Sequence, residues 1–124
     1  MTEDDPAAPL LEKLTPEVQV LVPQLRVVIK GVMPQMSEKV HLGWSAIHCR
    51  TGDKMRDVVV ALSPQRTYVN LELANAVDLP DPTHRLEGTG KRLRHVKIRS
   101  SDDVQQPDIR ALLVAAAQHQ GRTS

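Results

Sequence analysis

The hydrophobic period of this chain changes partway along, and that change dictates the kind of fold it can adopt. Val18, Leu21, Val22, Leu25, Val28, Ile29 and Val32 recur at spacings of three and four, which gathers them on one face of an amphipathic helix. From Lys39 the period drops to two. Val40, Leu42 and Trp44 alternate with His41 and Gly43; after a shift of phase, Ile47 and Cys49 alternate with Ala46 and His48. This predicts two short strands or one strand bulged at Gly43. Val58 to Leu62 is apolar on both faces and reads as a central strand. Thr67, Val69, Leu71 and Leu73 alternate with Tyr68, Asn70 and Glu72, the pattern of a half-buried strand. Val96 and Ile98, set against His95, Lys97 and Arg99, describe a last strand with one apolar and one basic face. Ile109, Leu112, Leu113 and Ala116 then restore helical spacing.

Punctuation agrees with the periods. Thr15-Pro16-Glu17 offers an N-cap, a proline at the first helical position and an acid in the first turn; Gly31 and Pro34 mark the end. Pro23 predicts either a kink or the point where the regular part of that helix begins. Thr51-Gly52-Asp53-Lys54 and Ser63-Pro64-Gln65-Arg66 read as turns, Pro107 opens the last helix, and Gly121 is expected just past its end. The order of helix, about five strands and helix implies one α+β domain with an antiparallel sheet and both helices on one face. Residues 1–14, acidic and containing prolines, read as a mobile tail that ends in a loosely docked turn, 15–120 as the domain, and 121–124 as a frayed end. The segment from Ala74 to about Arg92 lacks a period and is long for a connection in so small a domain.

Composition narrows the function. A chain of 124 residues that is 40% hydrophobic can build one core, but it has no Phe, and Trp44 and Tyr68 are its only large aromatics. With 16 basic and 15 acidic side chains the net charge is +1, too little to steer polyanions. That balance, and the lack of an aromatic platform, argue against nucleic acid as a partner. The single Cys49 excludes an intramolecular disulfide and any zinc site of several thiolates. Met1-Thr2-Glu3-Asp4-Asp5-Pro6 has no signal-peptide pattern and no later segment is apolar enough to span a bilayer, so a cytosolic protein without a membrane partner is expected.

Candidate chemistry concentrates between Leu86 and Arg99. The Gly88-Thr89-Gly90-Lys91 turn lets backbone N–H groups converge on an anion beside a lysine. It is not a nucleotide-binding P-loop. The glycine spacing is wrong, Arg92 stands where a hydroxyl would hold magnesium, and a strand follows instead of a helix. Gly88, Gly90, Lys91, Arg92, Arg94 and His95 are therefore the candidate contacts to an anionic group; the competing reading is a solvated strand face that keeps a sheet edge soluble. Trp44 is expected as a core anchor, with lining of a ligand groove as the alternative. His48 and Cys49 are neighbours in a strand and point to opposite faces. His41 and His48 can approach across paired strands, and His95 can join them, but no spacing defines a metal site, and neither metal nor cofactor is assigned. Cys49 reads as a small buried hydrophobe and not as a nucleophile. No catalytic constellation is identifiable, so a non-enzymatic protein is expected.

Leu79-Pro80-Asp81-Pro82, Leu86-Glu87-Gly88-Thr89-Gly90-Lys91, Arg94-His95-Val96-Lys97-Ile98-Arg99-Ser100 and the helix Ile109-Arg110-Ala111-Leu112-Leu113 together resemble the YdhG-like family of bacterial domains of unknown function. The opening helix and Gly43-Trp44 are also similar, so the resemblance covers roughly Thr15 to His119. It implies a compact α+β domain of frataxin-like arrangement. Some members are described as frataxin-like iron chaperones, a role that needs an acidic ridge of hard oxygen ligands; here the first helix carries Glu17 as its clear acid, with Glu38 beyond it. The expectation is a small binding or interaction module that meets an anionic small molecule or partner through the loop and basic strand from Leu79 to Arg99. Frataxin-like iron delivery is the alternative.

Overall fold

Five strands, β1 (Ser37–His41), β2 (Ala46–Arg50), β3 (Val58–Pro64), β4 (Val69–Ala74) and β5 (Leu93–Ile98), form one antiparallel sheet in the order β1-β2-β3-β4-β5. The computed structural model describes residues 5–90 and 93–123. Helix α1 (Ala8–Glu12) and helix α2 (Pro16–Val32) precede the sheet, and α3 (Ser101–Val104) and α4 (Pro107–Thr123) follow it. This is the α+β domain that the change of period predicts, with β3 at its centre.

Register decides which side chains meet the helices. Ile47 lies opposite Leu62 and Leu62 opposite Leu71, which in turn faces Val96; Cys49, Val60 and Leu73 form the next row. All of these belong to one buried cluster with Val18, Leu21, Val22, Leu25 and Ile29 of α2 and Ile109, Leu112, Leu113 and Ala116 of α4. Burying one such aliphatic side chain contributes about 1.5–3 kcal/mol, so these rows hold the helices to the sheet. The polar alternates face the other way and stand outside the cluster.

Four expectations are corrected. Helix α2 does not begin its regular part at Pro23: the proline is exposed within a helix that runs from Pro16 to Val32, and it lacks the N–H that the Gln19 carbonyl would have accepted. The segment read as a mobile tail with a loosely docked turn at its end is docked from Asp5 onward. Ala7 and Leu10 are buried, the Gln19 amide donates to the Leu11 carbonyl at 2.7 Å, and Asp5 takes two hydrogen bonds from Arg26 at 2.7 and 3.1 Å. Gly121 lies inside α4, since a glycine costs a helix roughly 1 kcal/mol but blocks no hydrogen bond. Finally, α3 was not foreseen; the Ser100 hydroxyl accepts from the Asp103 N–H at 3.3 Å while the Asp103 carboxylate accepts from the Arg99 N–H at 2.8 Å, a reciprocal cap. Among the described residues no helix is long and apolar enough to cross a membrane.

Candidate functional site

The loop before β5, expected as the working surface, spends most of its polar groups on itself. The Asp81 carboxylate accepts from the Arg85 and Leu86 N–H groups at 2.8 and 2.9 Å, and His84 takes a positive φ of 55° inside that turn. The Arg85 guanidinium and the Thr83 hydroxyl both donate to one oxygen of Asp108 in the first turn of α4, at 2.7 and 2.8 Å. Burial disfavours the Asp108 charge, but the hydrogen bonds from Arg85 and Thr83 together outweigh it and hold this carboxyl below its usual range. Glu87 exchanges two backbone hydrogen bonds with His95, at 2.7 and 3.1 Å, which adds a short rung outside β5.

The glycines of this loop serve the chain. Gly88 has φ 106°, and a Cβ on Gly90 would come within 2.5 Å of the Leu93 carbonyl oxygen, so each position demands the absence of a side chain. The Arg94 guanidinium donates to the Gly90 carbonyl at 3.0 Å, and Lys97 lies 3.7 Å from Glu87. Arg94 pairs with Leu73 on the helix side of the sheet, whereas His95 pairs with Glu72 on the other side. Of the six candidate contacts, the structure therefore brings Gly88 beside His95 and Gly90 beside Arg94, and it separates the two side chains by the thickness of the sheet. Lys91 and Arg92 lie outside the described residues.

A different group of residues comes together on the face away from the helices. One row across the sheet there reads Lys39, His48, Ala61, Glu72, His95 and Glu87. Beside it lie Ser37 and Arg50, His41 and Ala46, and Ser63, Asn70 and Lys97. Both large aromatics also belong to this side. The Lys97 ammonium and the Arg99 guanidinium sit 5.4 and 6.0 Å from the Tyr68 ring centre, while Trp44 stacks on His41 with centroids 4.7 Å apart and planes 25° from parallel. Trp44 is 63% exposed, which overturns its expectation as a core anchor. The reason is local: Leu42–Trp44 form a 3-10 turn and Ser45 takes a left-handed φ of 52°, so the β1–β2 connection projects the indole off the end of the sheet.

Polar atoms on this face lack the partners that buried groups normally find. His48 is 7% exposed, and its Nδ1, the His41 Nε2, the Arg50 Nε and the Asn70 Oδ1 are all buried without a hydrogen bond. Three of the four belong to the β1–β2 hairpin. Leaving such a group unpaired costs about 1–3 kcal/mol, and in native proteins it signals water, an ion, a ligand or strain. His41 and His48 do approach one another, with ring centres 4.4 Å apart, and Trp44 lies 5.8 Å from His48. His95 does not join them: three strand spacings of about 4.8 Å put it roughly 14 Å away along the row. Burial, reinforced by the charges of His41 and Arg50, lowers the pKa of His48, so this imidazole stays neutral below the usual histidine range. Burial raises the pKa of Glu72, and nearby His95 offsets part of that.

A cleft of about 570 Å³ opens on the other side, between the end of α2 and β1–β2, with Met33, Met36 and Cys49 in its wall. Two of its charged lining residues, Arg26 and Glu38, are matched to each other. Arg26 makes a two-pronged contact with Glu38, at 2.9 and 2.7 Å, besides its bonds to Asp5. Burial pushes the Cys49 thiol up to about 12, so it remains protonated and unreactive, as a buried hydrophobe should. Among the described residues no three His, Cys, Asp or Glu side chains are grouped to hold a metal ion.

Sequence reasoning missed Arg50 and Lys39 as members of a site with His41 and His48. The signal was present in part: alternate residues from Ser37 to His41 and from Ala46 to Arg50 carry no acid on one face. No family model, no curated protein and no solved structure matches this chain.

Proposed function

We propose that this chain is a small, non-catalytic binding module that takes an anionic group on the helix-free face of its sheet, at the β1–β2 end. One observation carries the reading: the His48 Nδ1 is buried and unpartnered, beside the equally unpartnered His41 Nε2 and Arg50 Nε. The arginine nitrogen can only donate, and an imidazole ring nitrogen can present an N–H group to the same acceptor. Lys39, opposite His48, adds a cation. A charge-assisted hydrogen bond from arginine to a carboxylate or phosphate is the strongest contact such a set can offer. Membership of the YdhG-like family and a cytosolic setting belong to the same proposal, supported by the loop and strand motifs and by the one buried, protonated cysteine. The iron-delivery alternative has no comparable support: among the described residues no three His, Cys, Asp or Glu side chains are grouped to hold a metal ion.

Titration of isotope-labelled protein with inorganic phosphate, followed at each backbone amide, tests the reading. Shifts are expected at Lys39, His41, Trp44, His48 and Arg50. Absence of any movement there at about 10 mM phosphate, a concentration at which even millimolar binding is nearly saturated, overturns it.

A further inference from the structure

We infer that the anion taken by this face is carried on a planar aromatic ring, and that Trp44 is the residue that selects it; the inference rests on the anion reading above. Trp44 gives one side of its indole to His41, in a near-parallel stack with centroids 4.7 Å apart. The rest of the ring is in solvent, at 63% exposure, although the chain has no other tryptophan and no Phe to spare for a surface turn. Stacking on His41 and the left-handed Ser45 that closes the turn hold the indole in place before any ligand arrives. A surface aromatic that is already ordered loses little freedom on binding.

Charge defines the other half of the ligand. On the helix-free side, the ladder residues of β1 and β2 are Ser37, Lys39, His41, Ala46, His48 and Arg50, a set with cations and N–H donors and no carboxylate. The first acid along the row is Glu72, beyond Ala61, and burial favours its protonated form. A metal cation would therefore meet Lys39 and Arg50, whereas an acid group would find the unpartnered His41 Nε2, His48 Nδ1 and Arg50 Nε, the arginine's Nη1 alone being engaged, at 3.4 Å from the Asp53 carbonyl. Because Trp44 and His48 are 5.8 Å apart, ring and acid must sit close together in the ligand. That describes a compact aromatic acid, with its ring on Trp44 and its charge on Arg50, His48 and Lys39.

Benzoate, cyclohexanecarboxylate and inorganic phosphate distinguish the outcomes, each titrated into the full chain and followed at the backbone amides. The two organic acids have the same charge and similar size but differ in planarity. Benzoate is expected to bind about fivefold tighter than cyclohexanecarboxylate, the ratio that an aromatic pair of ordinary strength provides. Trp44→Leu, a change at an exposed position, should abolish that preference while keeping the dispersed spectrum of a folded chain. Arg50→Gln should weaken both acids together, by about tenfold or more. Equal affinities for the two acids, or a preference that survives in Trp44→Leu, overturn the aromatic inference and leave the anion reading standing wherever phosphate still shifts the hairpin. Benzoate shifts confined to residues outside Lys39–Arg50 overturn the assignment of the site. If none of the three probes moves an amide of the hairpin, the anion reading fails and the inference falls with it.

Discussion

The loop from Leu79 to Gly90 and the hairpin of β1 and β2 are both rich in polar side chains, yet they treat them in opposite ways. In the loop, Asp81, Arg85, Thr83 and Glu87 are engaged with the chain itself, and even the glycines are fixed by φ or by a close carbonyl. In the hairpin, His41, His48 and Arg50 bury polar nitrogens that nothing in the protein satisfies. A satisfied network stabilises a fold, whereas an unsatisfied one costs stability and persists where something else uses it. The distinction separates a structural motif from a candidate working surface, although the loop is the more conspicuous in sequence.

Substitutions can break that contrast. The largest effect is expected from Asp81→Ala, which strips two backbone N–H groups of their acceptor; stability should fall by about 1–3 kcal/mol in denaturant unfolding, and a loss below about 0.5 kcal/mol would mean that the loop is not held this way. Gly88→Ala comes next. At φ 106° an alanine is strained, so a loss of about 1 kcal/mol or somewhat more is predicted by the same assay. His48→Leu should cost nothing within about 0.5 kcal/mol, because it removes an unpaired polar nitrogen and keeps the volume. A loss larger than 1.5 kcal/mol would show that the imidazole has a structural partner.

The smallest effect is a pH slope. Because the folded His48 has a pKa below that of the unfolded residue, the unfolded chain binds the extra proton first as pH drops through about 6.5. The His48 contribution to stability is thus fully present above that pH, declines below it, and levels off once the folded residue also protonates. Denaturation between roughly pH 5 and 7 should show a shallower decline in His48→Leu than in the parent; identical slopes would contradict the burial of a neutral ring.

Much of the architecture is legible in the sequence because it depends on period. Val18 to Val32, Val58 to Leu62 and Ile109 to Ala116 each bury most of the residues that their spacing selects, with Val28 and Val32 only half-buried. Pro23 misleads as a starting point and Gly121 as a stop because both weaken a helix without forbidding it, and tertiary packing of Val22 and Leu25 around the proline decides the outcome. The opening segment misleads because its docking depends on Arg26, a residue 21 positions from Asp5. The site was harder to see for the same reason. Opposite faces for His48 and Cys49 follow from strand geometry, but the contact between His41 and His48 depends on a register set by a two-way turn at Leu42–Ser45. Trp44 looks like core by rarity and is surface by position. In contrast, Gly88, Gly90 and Lys91 draw attention through spacing alone, and spacing cannot reveal that Glu87 already pairs with His95 and Lys97.

The most direct test follows the histidine ring nitrogens during the phosphate titration, since His41 and His48 belong to the hairpin while His84 and His95 belong to the loop and β5. The account predicts that the ring nitrogens of His48 and His41 shift with added phosphate and that those of His84 and His95 stay in place. Movement of His95 with His48 unchanged would contradict it and return the working surface to the loop and basic strand.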